Sequence, residues 1–125
     1  MAINYFGSLY CIKAALPAMQ PNSHIVLVSS GAGLIGIYVY SAYSPSKFAV
    51  RGLAESLCGE LEGLGVGISI IYPPETETPQ LAEENKTKPS ATKLITATAK
   101  VWSAEAVAKE IVKGIEKKLL RSHLV

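Results

Sequence analysis

Tyr43 and Lys47 stand four residues apart where a helical segment opens, and Ser29-Ser30 closes an apolar run upstream of them. Side chains at i and i+4 share one helix face. A phenol held beside an ammonium is a stronger acid, because the positive charge favours its ionised form. A serine hydroxyl facing the pair can hold a carbonyl oxygen. Together the three groups suit proton donation to a ketone at neutral pH. Alone, a tyrosine of pKa about 10 and a lysine of about 10.4 are poor donors there. A solitary Y-x-x-x-K spacing describes an ordinary exposed helix face. The serine at a strand end lifts it above that.

The elements that must position these groups are legible on either side. Ile25-Val26-Leu27-Val28 is a continuous apolar, largely β-branched run, the pattern of a strand buried on both faces of a parallel sheet. Residues 31–42 are Gly-rich and then aromatic, which predicts a loop. Residues 44–64 predict a helix with Pro45 in its first turn. Its buried stripe is Ala49, Leu53, Ala54, Leu57 and Leu61, and Gly63 and Gly65 mark its end. The next strand is Gly67 to Tyr72, stopped by Pro73-Pro74. Strand, helix, strand in that order is a βαβ unit with a right-handed crossover. In such sheets ligands bind outside the carboxyl ends of the strands. Ser30 ends the first strand, Pro73 to Thr78 follow the second, and Tyr43 and Lys47 open the helix from the same edge. Three polar clusters therefore converge on one rim.

Before this unit, residues 2–19 predict a helix through Ile3, Phe6, Tyr10, Ala14 and Met19, weakened at Gly7, with a turn at Pro21-Asn22-Ser23. After it, residues 74–102 are polar and broken by Pro79 and Pro89. They read as a long mobile loop with at most a short helix. Glu83 to Lys88 is expected to be solvated, or to form a lid lined by Leu81, Leu94 and Ile95. A last helix runs from Ser103 as N-cap to Leu119. Val107, Ala108, Ile111, Val112, Ile115 and Leu119 form its apolar face, and Trp102 packs beneath it.

The 125 residues are 49% hydrophobic with net charge +2, and mean hydropathy is +0.27 with a pI near 8.5. This suits one globular α/β domain or less and excludes a disordered chain. Lysines and arginines are dispersed, so nucleic acid is not expected as a partner. Cys11 and Cys58 give neither metal spacing nor a disulfide framework, and no metal site is expected. His24 and His123 read as surface histidines. No apolar run is long enough to span a bilayer, and Lys13 interrupts the N-terminal one, so no signal peptide is expected. These features predict a soluble intracellular chain.

The segments IVLVSS, YSPSK and INYFG resemble the catalytic region of the short-chain dehydrogenase/reductase family. GLAESL, YPPETETP and AEENKTKP are similar to its 3-ketodihydrosphingosine reductase branch. The resemblance reaches to about residue 118. It implies a partial doubly wound, Rossmann-like parallel sheet lacking the N-terminal cofactor-binding half, because the family's Gly-rich phosphate turn and Asn-Ala-Gly segment are not in this sequence. It implies NADPH-dependent reduction of a lipid-like ketone, 3-ketosphinganine to sphinganine. Tyr43 would be the acid, and Lys47 would lower its pKa and hold the nicotinamide ribose. Ser30 (or its neighbour Ser29) would bind the carbonyl. Asn4 would anchor a water relay to Lys47, or simply cap a helix turn. Pro73, Thr76 and Thr78 would lie near the cofactor. Helices 2–19 and 44–64 are a further expected surface for a homodimer, and the expected location is cytoplasmic, peripheral at the endoplasmic reticulum membrane in a eukaryote.

Two rivals stand beside the enzyme. One is a non-enzymatic half-domain that associates with an intact partner. The other is a nucleotide-binding module using Gly31-Ala32-Gly33-Leu34-Ile35-Gly36, which matches G-x-G-x-x-G with Glu55 downstream. The context argues against that fingerprint. Ile37-Tyr38-Val39-Tyr40 follows the glycines instead of a helix, and Glu55 lies in a helical segment rather than at a strand end.

Overall fold

The computed structural model describes residues 1–91, 94 and 100–116. Strand β1 (His24–Val28) and strand β2 (Gly67–Ile71) pair in parallel, with His24 opposite Gly67 and Val28 opposite Ile71. Between them runs helix α2 (Tyr43–Leu61), finished by a 3₁₀ turn at Glu62–Leu64. Gly65 then takes φ 69°, and a Cβ there would lie 3.3 Å from that of Pro21. The left-handed residue and the close approach both call for glycine. The expected strand–helix–strand unit is thus present, as one unit of a doubly wound sheet.

The expected N-terminal helix is composite. Ala2–Gly7 is π-helical, helix α1 occupies Ser8–Ala15, and Leu16–Ala18 is a 3₁₀ turn. The π stretch ends at Gly7, the residue at which the helical pattern is weakest. Asn22 takes φ 72° in the turn before β1, a conformation its short polar side chain tolerates.

The core joins these elements. Ile12 of α1, Ile25 and Leu27 of β1, Val50, Ala54 and Leu61 of α2, and Ile68, Ile70 and Tyr72 on or after β2 form one buried cluster. Val50 is 1% exposed, and burial of a side chain of this kind favours folding by about 1.5–3 kcal/mol.

Two packing expectations need correction. The strand pair is not uniformly buried: Ile68 to Ile71 of β2 are covered, but β1 alternates, and its Val28 is 49% exposed. Among the described residues β1 pairs with β2 alone. The stripe on α2 is also shifted. Ser44 and Ser46 are buried with Val50, Ala54 and Leu61, while Ala49, Leu53 and Leu57 are only half-buried. Apolar periodicity is blind to small hydroxyl residues that pack by bonding the backbone.

The region after β2 is more ordered than its composition predicts. Thr76–Glu77 forms a short strand, β3, and Pro79–Thr87 forms helix α3. Pro79 begins that helix instead of breaking it, because the first turn has no use for its missing N–H. Thr78 caps it: its Oγ1 accepts from the Leu81 N–H at 3.2 Å. Strand β3 pairs in parallel with strand β4 (Trp102–Ser103), so Trp102 is a strand residue rather than packing beneath a helix. Helix α4 covers Ala104–Glu116, and Ser103 caps it as expected, accepting from the Ala106 N–H at 3.2 Å. Only Val107 of its apolar face is buried; Ala108, Val112 and Ile115 are exposed. Leu119 and His123 lie outside the described residues, as does Ile95.

Candidate active site

Beyond β1 the ladder continues for one residue, as the Ser29 N–H donates to the Ile71 carbonyl at 2.7 Å. Adjacent residues of an extended strand face opposite sides, and here that separates the two serines. Ser29 is 2% exposed, and its Oγ donates to the Lys47 carbonyl at 3.1 Å. Ser30 accepts from the Ala32 N–H at 3.2 Å, capping the 3₁₀ turn Gly31–Gly33. The Ser30 hydroxyl lies close enough to the Tyr43 phenol to lower its pKa. Ser30 is therefore the serine that meets Tyr43, and Ser29 is engaged in packing beneath it.

The first turn of α2 is fixed from several sides. The Ser44 N–H donates to the Tyr40 carbonyl at 2.8 Å. The Tyr40 ring stands edge-on to that of Tyr43, centroids 5.6 Å apart. Ser46 Oγ donates to the Tyr43 carbonyl at 2.6 Å, and Asn4 Nδ2 donates to Ser46 Oγ at 3.0 Å. Asn4 lies in the π-helical stretch, a geometry that recurs at functional sites. Its amide reaches Ser46, the neighbour of Lys47 in sequence.

Lys47 shares the helix face of Tyr43 as its spacing predicts, but not in the expected contact. Its Nζ lies 5.5 Å from the centroid of the Tyr43 ring and donates to the Val28 carbonyl at 3.3 Å. This is a cation over an aromatic face rather than an ammonium against the phenol oxygen. The expected acidification of Tyr43 is accordingly corrected. Burial pushes its pKa up, the Ser30 hydroxyl pulls it down, and the Glu84 carboxylate and Tyr40 push it up, with a net rise. Burial lowers the pKa of Lys47.

The residues after β2 have local partners. Pro73 is half-buried. Thr76 Oγ1 donates to the Pro74 carbonyl at 2.8 Å, while Thr78 caps α3. Lys88, expected in a solvated run, is buried instead, with its Nζ 2.9 Å from Glu75 Oε1. The signal for this pair was the acidic YPPETETP segment followed at loop distance by a lysine. Nothing in the composition marked that lysine as the buried one. Leu81 is half-buried and Leu94 is exposed.

The glycine fingerprint has a packing role at its centre. A Cβ on Gly33 would collide with Ser29 Oγ and lie 3.0 Å from the Lys47 carbonyl oxygen. Glu55 is exposed in the middle of α2 and pairs with Arg51 at 2.9 Å. His24 is half-buried, not free on the surface, with Nε2 2.7 Å from Ser69 Oγ. Among the described residues no group of His, Cys, Asp or Glu is arranged to hold a metal.

A family model described as short chain dehydrogenase matches residues 1–89. The chain belongs to the short-chain dehydrogenase family. It is 50% identical over 115 residues to the 3-dehydrosphinganine reductase of Danio rerio and, to the same degree, to the 3-ketodihydrosphingosine reductase of Mus musculus. Each alignment covers 90% of this chain and 35% of the relative, so the chain spans about a third of the length of the curated relatives it matches. Among solved structures, ElxO with NADP bound aligns with a TM-score of 0.71 at 30% identity, covering 86% of this chain and 46% of that one. A short-chain dehydrogenase from Streptomyces avermitilis aligns at TM-score 0.77 and 22% identity, covering 98% and 49%. The second likeness speaks for the fold alone: a Rossmann-like sheet, of which this chain holds a part.

Proposed function

We propose that residues 1–125 form one partial Rossmann-like domain, the proton-donating half of a ketone reductase. Tyr43 is the acid, Ser30 the carbonyl-binding hydroxyl and Lys47 the cation beside them. The observation that carries this reading is the Lys47 ammonium over the Tyr43 ring at the carboxyl rim of a parallel strand pair, with the Ser30 hydroxyl close enough to act on the phenol. The raised pKa leaves the resting phenol protonated but a weak acid, so donation depends on Ser30 and Lys47 stabilising the phenolate as the proton leaves. As the carbonyl oxygen gains negative charge, both hydroxyls can bond to it. The Tyr43 proton moves to that oxygen, and the Lys47 ammonium favours the phenolate left behind. Asn4 steadies Lys47 through Ser46.

The named relatives and the NADP-bound neighbour support NADPH as the cofactor, which when bound supplies the hydride. The donor set suits a nicotinamide ribose. Lys47 uses one N–H on Val28 and retains others, and the Tyr43 ring lies beneath it. Pro73, Thr76 and Thr78, which follow β2, complete the proposed cofactor side. The relatives' names likewise support 3-ketosphinganine, reduced to sphinganine, as the substrate. Exposed Ile35, Tyr38 and Val39 on the loop before α2 suit a long alkyl chain. Among the described residues no helix is long and apolar enough to cross a membrane. A cytoplasmic position, peripheral at the endoplasmic reticulum in a eukaryote, goes with this reading.

The test supplies the protein that carries this chain with NADPH and 3-ketosphinganine and follows NADPH absorbance. Tyr43→Phe should lower turnover by at least about 100-fold with unchanged far-UV circular dichroism. Equal turnover in the variant would sink the reading. A second reading is favoured by the one-sided pairing of β1 and by exposed Ile3, Tyr10 and Phe48. In it the chain is a non-enzymatic half-domain that assembles through segments 2–19 and 44–64, with a second copy or a longer partner. Sedimentation of a folded but inactive dimer would support that alternative.

A further inference from the structure

The stretch that leaves β2 is tied down by residues that come after it. It opens beside the candidate site, because the Ser29 N–H donates to the Ile71 carbonyl at 2.7 Å. Pro73 and Pro74 then offer no backbone N–H, so they cannot donate to a continued ladder. Thr76 Oγ1 turns back on the Pro74 carbonyl at 2.8 Å. The cross-links beyond that run downstream. The Trp102 N–H donates to the Glu75 carbonyl at 2.8 Å, and Thr76 and Glu77 pair with Trp102 and Ser103. Lys88, the C-cap residue of α3, donates from Nζ to Glu75 Oε1 at 2.9 Å.

The last contact differs in kind from the other ion pairs among the described residues. Those have side chains at least 41% exposed, and such pairs contribute little. In the Lys88–Glu75 pair the side chains are only 4% and 21% exposed. An enclosed pair adds little stability over apolar side chains of the same volume. What it does fix is the arrangement of the two segments that carry it. Here those are the exit of β2 and the end of α3. The pair closes a loop between residues thirteen apart, and the nine-residue helix α3 is the rigid arm of that loop. Thr78 caps the near end of the same helix. A closed loop of this length with a helix inside it has little freedom, so the places of Thr76 and Thr78 depend on the clasp.

We propose that Lys88 is a positioning residue for the cofactor side of the rim: by pairing with Glu75 it clasps α3 to the exit of β2 and holds Pro73, Thr76 and Thr78 where NADPH meets them. The inference rests on the reading of that stretch as the cofactor side, and it adds a residue that acts on NADPH only through Glu75. Two consequences follow from losing the ammonium. The loop opens, so that Thr76 and Thr78 shift. The Glu75 carboxylate is also left as an uncompensated negative charge beside an anionic cofactor.

Lys88→Met removes the ammonium and keeps an unbranched stem. Glu75→Gln combined with Lys88→Met leaves no unpaired charge, which supplies a folded comparison if the single variant is unstable. Hydrogen exchange is measured first, without cofactor. In K88M the amides of residues 75–87 and 102–103 should exchange at least about tenfold faster, while those of β1, β2 and α2 keep their protection. NADPH affinity is then measured by calorimetry on the protein that carries this chain. K88M should weaken it about tenfold. E75Q and K88M together should cost no more than K88M alone, because the two residues act as one unit. In turnover, the KM for NADPH should rise in K88M while kcat at saturating NADPH holds within about twofold, whereas a merely structural loss would lower kcat. Unchanged exchange over residues 75–87 in K88M overturns the inference. So does unchanged NADPH affinity, and so do costs that multiply in the double variant. If the wild type binds no NADPH, the reductase reading fails, and the exchange measurement still decides whether Lys88 clasps the stretch.

Discussion

Asn4 Nδ2 donates to Ser46 Oγ across 3.0 Å, joining the N-terminal π-helical stretch to the first turn of α2. Ser46 passes the tether on, because its own proton goes to the Tyr43 carbonyl. Ser8 Oγ donates to the Asn4 carbonyl at 2.8 Å and steadies the other end. The turn that carries Tyr43 and Lys47 is therefore held by a relay of neutral hydrogen bonds, one of them made by a serine only 1% exposed.

Asn4→Ala removes the donor and should cost about 0.5–1.5 kcal/mol. Asn4→Asp should be worse, since it offers a charged acceptor to a hydroxyl whose proton is already committed. Urea unfolding midpoints should fall in the order wild type, N4A, N4D. Turnover should fall in the same order if the turn positions the acid. Equal midpoints for all three would remove the relay from the account.

Gly33 and Gly36 sit three residues apart in the same glycine-rich segment and should respond oppositely. A Cβ on Gly33 meets Ser29 Oγ and the Lys47 carbonyl, whereas one on Gly36 has nothing within 4 Å. Gly33→Ala should cost about 1–3 kcal/mol through overpacking, and Gly36→Ala should lie within about 0.5 kcal/mol of wild type. Were both equally tolerated, the segment would not be wedged against α2. Were nucleotide affinity lost in G36A, the fingerprint would regain its phosphate-binding meaning.

This contrast marks where the sequence was informative. The β-branched run and the i, i+4 spacing put Ser30 just past a strand end and Tyr43 and Lys47 on one helix face, because strand burial and helix periodicity are local properties. The Ser30-over-Ser29 choice follows from strand alternation, but its sign depends on which face α2 covers. The course of residues 76–87 was only partly legible, since Pro79, Pro89 just beyond and many charges read as a loop with at most a short helix. The T-P pair, an N-cap followed by proline at the first helical position, was the overlooked local signal. Burial of Lys88 depends on a partner thirteen residues away, and composition carries no trace of it. The acidity of Tyr43 is not legible for a related reason: spacing fixes which face a lysine occupies, not which atom its ammonium reaches.

His24 gives the chain a pH response in mild acid. Its ring is half-buried against Ser69 Oγ, and burial lowers its pKa below 6.5. The unfolded chain therefore takes up the proton before the folded one does. Stability should be full above about pH 6.5 and fall as the pH drops through the lowered folded value. Urea midpoints measured from pH 8 to 5 should decline in wild type and decline less in His24→Gln. Parallel curves for the two proteins would assign the decline to other groups.

Val39 is held at φ 71°, where a β-branched residue is strained by about 1–3 kcal/mol. It stands between Tyr38 and Tyr40, and Tyr40 packs edge-on against Tyr43 while accepting from the Ser44 N–H. The strained turn is therefore what delivers Tyr40 to the acid. Asparagine tolerates this conformation, so Val39→Asn should raise stability by about 1 kcal/mol and keep the ring contact. Val39→Gly should gain less, because glycine also loosens the unfolded chain. Proline fixes φ near −65°, so Val39→Pro should destabilise the fold, withdraw Tyr40 and lower turnover. Urea midpoints give the stability order, and near-ultraviolet circular dichroism reports the Tyr40–Tyr43 contact. A V39N midpoint below wild type would mean that the valine side chain makes a contact worth more than the backbone strain it carries.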